Sequence, residues 1–224
     1  MYLDNYSLIV QSDLDGGDCA ARSGQYYFAK PSDRGFISVI VHLEKENGIW
    51  VRHPNYPDTK DFSRDQMDPL IMAMGENESG GALQDTFKEH AKRGFLYQNG
   101  DLPMLATFGL YIRAMKAWYL YPLLLITDIG LFFTFLTTML DTNLNSVDDN
   151  NAVMRFAQAI KTYPTPLSYI GRKLYSATRP LNYGNTKLNE KNHVMGALMW
   201  YHRSGSNGNP EIAEAYRDII EKYF

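Results

Sequence analysis

Between Phe108 and Leu140 the chain reads FGLYIRAMKAWYLYPLLLITDIGLFFTFLTTML, its most apolar stretch, and any fold it adopts has to cover that surface. From Trp118 to Leu140 the run is about 23 residues, enough to cross a bilayer once at a rise of roughly 1.5 Å per residue. Asp128 stands near its middle and is its only charge. A carboxylate at that depth is expensive. Pro122 would disturb the first turn, and Thr127, Thr134, Thr137 and Thr138 add polarity. The run is therefore read as two buried helices, broken near Tyr121-Pro122, at the centre of a helical domain. A buried Asp128 needs a hydrogen-bond partner, and a Lys, Arg or Tyr on a neighbouring helix is expected beside it.

The rest of the chain suits one domain over 1–224. It has 224 residues, 45% of them hydrophobic, which can enclose a sizeable core. The net charge of −3 gives no electrostatic reason for a nucleic-acid partner. A single cysteine, Cys19, excludes an internal disulfide and fits a reducing compartment. The start MYLDNYSLIV carries Asp4 and no basic region, so a secretory signal is not expected; the protein is read as cytoplasmic, or as released without a conventional signal.

Helical periodicity and stop signals recur along the chain. Cys19 to Lys30 reads as a helix with Asp18 available to cap it. Phe36 to Leu43 has helical spacing, with enough β-branched residues to leave a strand open. Ile49 to Pro54 is extended, because a residue before proline avoids the α region. A helix follows that begins either at the capping-box spacing Ser63-Arg64-Asp65-Gln66 or at Asp68-Pro69, and it stops at Gly75. Ala82 to Lys92 is amphipathic, and Tyr97 to Pro103 is a turn. Further helices are expected over Val153–Thr162, Leu167–Ala177, His193–His202 and Glu211–Tyr223. The sum is an all-α array of about eight or nine helices with little strand.

Four polar patches fall at helix starts and turns. Asp13, Asp15 and Asp18 lie in a DLDGGD loop. Clustered carboxylates on a glycine-rich backbone serve as turn and cap, as an acid or base whose pKa rises beside a like charge, or as oxygen ligands for calcium. The loop is not an EF-hand, because its twelfth position is Gly24. Arg52 and His53 precede Pro54 on extended backbone that throws them to opposite sides. His53 is a general acid or base near neutral pH, or part of a pair that holds a loop. Arg64, Asp65 and Gln66 open a helix, where Arg grips carboxylates and the others meet hydroxyls, unless they form only a cap and a local ion pair. Asn99 and Asp101 mark a turn or a further binding edge.

In a packed array the starts of alternate helices gather on one face. A face bearing Asp, Arg, His, Asn, Gln and Tyr suits a polyhydroxylated ligand, and two carboxylates across a groove are the usual means of glycosidic cleavage. The DLDGGD loop before a helix with Tyr26-Tyr27, the WVRHP run and the SRDQ helix start resemble, over roughly residues 12 to 105, the polar loops of α/α-toroid proteins that process polysaccharides. A full six-hairpin toroid has about twelve helices, more than this chain, so the resemblance implies a shortened or open toroid, or else a different helical fold. It also implies glycan binding or cleavage. No single residue is carried over from the resemblance; the grouping of unlike polar side chains at helix starts points to Asp15 as acid or base with Asp65 as partner, and to His53 in lyase chemistry. Asp13, Asp18, Arg22, Arg52, Arg64, Gln66, Asn99 and Asp101 hold the substrate, and Tyr26 and Tyr27 stack on it. No metal is required, calcium at Asp13, Asp15 and Asp18 being the exception.

Other chemistry lacks its signatures. There is no GxSxG, P-loop, dinucleotide glycine pattern, CxxC or HExxH. The rival expectations are a non-enzymatic component of a larger assembly, including a homo-oligomer, and a membrane-associated protein using the helix 118–140.

Overall fold

In a computed structural model the described residues are 2–10, 18–31, 34–101, 105–140, 159 and 162–171. They are mostly helical, as the periodicity predicts. The helices expected over Val153–Thr162, His193–His202 and Glu211–Tyr223, and most of Leu167–Ala177, lie largely or wholly outside them; residues 166–171 are helical. A small antiparallel pair, β1 (Tyr2–Leu3) and β2 (Ile9–Val10), opens the chain. Then come α1 (Cys19–Ala29), α2 (Phe36–Leu43), the hairpin β3 (Glu44–Glu46) and β4 (Ile49–Trp50), α3 (Arg64–Glu76), α4 (Gly80–Lys92), α5 (Leu105–Ala114) and α6 (Tyr121–Leu140).

Phe36 to Leu43 resolves to helix. Phe36, Val39 and Leu43 recur at intervals of three and four, and all three are buried. Gly48 makes the β3–β4 turn at φ +79°, against Asp85 of α4, where an added Cβ would collide with backbone.

The third helix takes the earlier of its two starts. Gln66 folds back so that its Oε1 accepts from the Ser63 N–H at 3.1 Å and from the Ser63 hydroxyl. Pro69 then lies inside the helix. The apolar run Phe108 to Leu140 also breaks sooner than Tyr121-Pro122. α5 stops at Ala114, and a corner with a 3₁₀ turn at Trp118–Leu120 leads into α6. Pro122 sits in the first turn of α6, where a missing N–H costs nothing.

Three helices run the same way. The middle of α1 meets α3 at Gly24, where a Cβ would lie 2.7 Å from Pro69. Further along both helices, the Asn77 amide donates to the Tyr27 carbonyl at 3.1 Å. Along α3 and α5, the Tyr97 hydroxyl joins Asp68 to Thr107, and seven residues on Gly75 meets Ala114 closely enough that a Cβ would lie 2.7 Å from its Cα. α4 returns antiparallel, with His90 near its end packed on Tyr97. The main core lies among these helices, with Trp50, Tyr27, Phe28, Phe62, Tyr97 and Tyr111 its largest fully buried side chains.

α6 packs antiparallel on α5 through Leu124, Thr127 and Asp128. Asp128 has the partner its burial demands: Arg113 of α5 donates to both carboxylate oxygens, at 2.9 and 2.7 Å. The outer side of α6 is apolar and exposed at Leu125, Ile129 and Phe133, spaced four residues apart. Among the described residues no helix is long and apolar enough to cross a membrane.

Candidate functional site: the face where alternate helices begin

Because α1, α3 and α5 are parallel, their starts lie at one end. The start of α1 and the segments 50–62 and 97–101 are tied together there. The Cys19 thiol at the start of α1 donates to the Arg52 carbonyl. The Asn99 N–H donates to the Phe62 carbonyl, just before α3, at 3.3 Å. Gln98 exchanges hydrogen bonds with the backbone of Trp50 at 2.7 and 2.8 Å and donates to the Thr59 carbonyl. Residues from two loops, 50–62 and 97–101, therefore surround the beginning of α3, with the start of α1 beside them.

Arginine–aspartate pairs line this end. Arg22 faces Asp18 at 3.7 Å across one turn of α1. Arg52 grips Asp61 through the carboxylate at 3.0 Å and the main-chain carbonyl at 2.6 Å. Arg64 donates to Asp65 at 3.3 Å. Asp18 does not cap α1 with its side chain, contrary to the sequence expectation; its carbonyl accepts from the Arg22 N–H while its carboxylate turns to the guanidinium. Gln66 is buried and spent on the capping box. Asn99 and Asp101 bond to one another at 2.7 and 3.1 Å around Gly100, whose φ of +87° marks a tight turn at the edge of the face.

His53 points the other way from Arg52, as the extended backbone requires. Only 2% exposed, it presents Nε2 to Asp4 Oδ2 at 3.1 Å and accepts the Asn55 N–H at Nδ1. Tyr6 and Tyr56 stand edge-on to its ring. That is the arrangement of a residue holding the loop that carries Arg52. Tyr26 and Tyr27 do not form a stacking platform. Both are buried, edge to face at 4.9 Å, and the Tyr27 hydroxyl donates to the Ser7 carbonyl at 2.9 Å. Helical spacing turned them inward with the apolar side of α1. Asp13 and Asp15, and with them the calcium expectation, lie outside the described residues. Among the described residues no group of three or more His, Cys, Asp and Glu is placed to hold a metal.

Sequence reasoning missed two separate hydrogen-bonded groups inside the core. The Tyr97 hydroxyl donates to Asp68 at 2.7 Å and meets Thr107 at 2.6 Å; the Tyr111 hydroxyl meets His90 Nδ1 at 2.8 Å. Burial drives the His90 pKa down to about 4, partly opposed by Asp68. Burial, and then Asp68, push that of Tyr111 well above its ordinary value. A histidine on the apolar side of α4 was the one signal in the sequence. Its partners come from segments that no local pattern connects.

Compared with known protein families, curated proteins and solved structures, the chain matches none at a significant level.

Proposed function

We propose that the face formed by the starts of α1, α3 and α5 binds a polysaccharide or a similar polar polymer, with Asp15 and Asp65 as the acid/base pair that cleaves it. In this reading α1 to α6 are three consecutive hairpins of a shortened α/α toroid. α1, α3 and α5 form its inner layer. The observation that carries it is the convergence of two polar loops, 50–62 and 97–101, on the first turn of α3, with Arg52–Asp61 and Arg64–Asp65 as side chains that grip hydroxyls and acid groups. Three parallel helix starts add positive potential that favours uronate or sulfate groups. Arg52 neutralises such a group in this reading, and calcium at Asp13, Asp15 and Asp18 assists where the polymer is acidic.

The test is product release from neutral, uronate and sulfated polysaccharides, with and without calcium. Reducing ends are read together with ultraviolet absorbance of unsaturated ends. Reducing ends alone mean hydrolysis by the Asp15–Asp65 pair, and absorbance as well means a lyase. Unchanged turnover in both Asp15→Asn and Asp65→Asn overturns the assignment.

A second reading, a non-enzymatic assembly protein, is favoured by the exposed ridge Leu125, Ile129 and Phe133. It predicts a homo-oligomer in light scattering that Ile129→Lys dissociates. A monomer at all concentrations sinks it.

A further inference from the structure

A groove of about 890 Å³ runs along α5 between α3, α4 and α6, and reaches the far ends of α3 and α5 from the polar face. Its walls include Leu83, Phe87, Phe108, Ile112, Leu123 and Ile126, and the volume is that of a small-molecule site. Its mouth carries two charges in unusual backbone positions. Glu78 follows the end of α3 at φ +55°, and Lys116 follows the end of α5 at φ +54°. Each occupies the left-handed slot of a helix-terminating turn. The Ser79 N–H donates to the Met74 carbonyl at 3.0 Å, and the Ala117 N–H to the Ile112 carbonyl at 2.9 Å. Glycine is the usual occupant of that slot, because any Cβ there is strained.

Two parallel helices thus both carry a charged residue where glycine is cheaper. The two side chains face each other at 3.6 Å, both more than half exposed. An exposed pair of this kind stabilises a fold very little, so fold stability does not account for the choice of residues. Beside them stand Trp118 and Tyr119, also lining the groove and about 70% and 68% exposed.

We infer that this groove binds a single-chain amphiphile with a zwitterionic head group. The chain lies along the apolar walls. The anionic part of the head meets Lys116. The cationic part meets Glu78 and the faces of Trp118 and Tyr119, where a quaternary ammonium is held by the ring quadrupoles. The carbonyl ends of α3 and α5 favour the same cation. This site is separate from the polar face and does not depend on the reading given for it.

The experiment is calorimetric titration of the full chain with dodecylphosphocholine below its micelle concentration, beside dodecyl maltoside and dodecyl sulfate. The expected result is saturable one-to-one binding of dodecylphosphocholine, about tenfold tighter than either other head. Lys116→Gly and Glu78→Gly relieve the left-handed backbone, so both fold with an unchanged or higher Tm, and each loses about tenfold in affinity for dodecylphosphocholine only. Gly80→Leu tests the groove itself. A Cβ at Gly80, which lines it, meets nothing within 4 Å, so the variant folds and blocks binding. Equal affinity for the maltoside head, or no binding below micelle concentrations, overturns the inference. A dimer in light scattering that Gly80→Leu abolishes also overturns it, and makes the groove the seat of a second copy.

Discussion

Arg113 and Asp128 close on each other through two parallel hydrogen bonds, 2.9 and 2.7 Å long, in a part of the α5–α6 contact where both side chains are almost wholly shielded from water. The remaining valences are used as well. Arg113 Nε donates to the Thr162 carbonyl at 3.0 Å, and the Thr165 hydroxyl donates to Asp128. The pair therefore also clamps residues 162–165 onto the two helices. It explains how an apolar helix carries a carboxylate at its middle.

Such a pair is far costlier to break than to replace. Asp128→Ala strands a buried guanidinium and is expected to destabilise the fold by about 3–5 kcal/mol in urea denaturation. The double variant Arg113→Met with Asp128→Leu removes both charges and should recover most of that loss. If the double variant is no better than Asp128→Ala, the clamp on residues 162–165 carries the stability and the charge argument is wrong.

The α1–α3 contact rests on an absent side chain. A Cβ at Gly24 would lie 2.7 Å from Pro69 and 2.8 Å from the Leu70 nitrogen, both parts of a helix that cannot yield locally. Gly24→Ala improves helix propensity in α1, yet the collision is expected to outweigh that gain and cost about 1–3 kcal/mol. Thermal unfolding decides it, and a raised Tm would show that the two helices are not held this closely.

The starting turn of α3 separates structural from chemical roles. Gln66→Ala removes the arm of the capping box and should cost about 1 kcal/mol. Asp65→Asn, at a partly exposed position, should change stability by no more than about 0.5 kcal/mol. If Asp65 works on a polymer, turnover falls by orders of magnitude in Asp65→Asn and follows only the folded fraction in Gln66→Ala. A Tm for Asp65→Asn as low as that of Gln66→Ala would make the carboxylate part of the cap.

What the sequence reveals here is local. Apolar spacing marked the inward faces of α2 and α4, and the Ser63–Gln66 spacing marked the start of α3. The need for a partner at Asp128 followed from burial alone, and its chemistry was foreseeable. The identity of that partner was not, because a helix contact fifteen residues distant depends on where α5 stops. That stop came early because Lys116 takes a left-handed conformation that sequence assigns to glycine. Tyr26 and Tyr27 were misread for a related reason: aromatic rings suit a sugar or a core equally, and only the packing of α3 on α1 distinguishes them. The capping box at Ser63 and the Asn99–Asp101 turn took the structural form that the same residues offered from the outset.

The burial of His90 predicts a loss of stability in the acid range. Its ring is buried edge-on against Tyr97 and Tyr111, and burial lowers its pKa from 6.5 to about 4. The unfolded chain thus takes up a proton between those two values while the folded chain does not. Stability from this residue is complete above about pH 6.5, falls as the pH drops toward 4, and changes no further below that. The gap corresponds to about 3 kcal/mol. His90→Gln keeps a polar group beside the Tyr111 hydroxyl but cannot titrate. It should be less stable than the parent at pH 7, with a flatter dependence between pH 4 and 6.5. Chemical denaturation at half-unit steps of pH, in parent and variant side by side, measures the difference. Parallel curves for the two proteins would place the acid sensitivity in the carboxylates rather than in this ring.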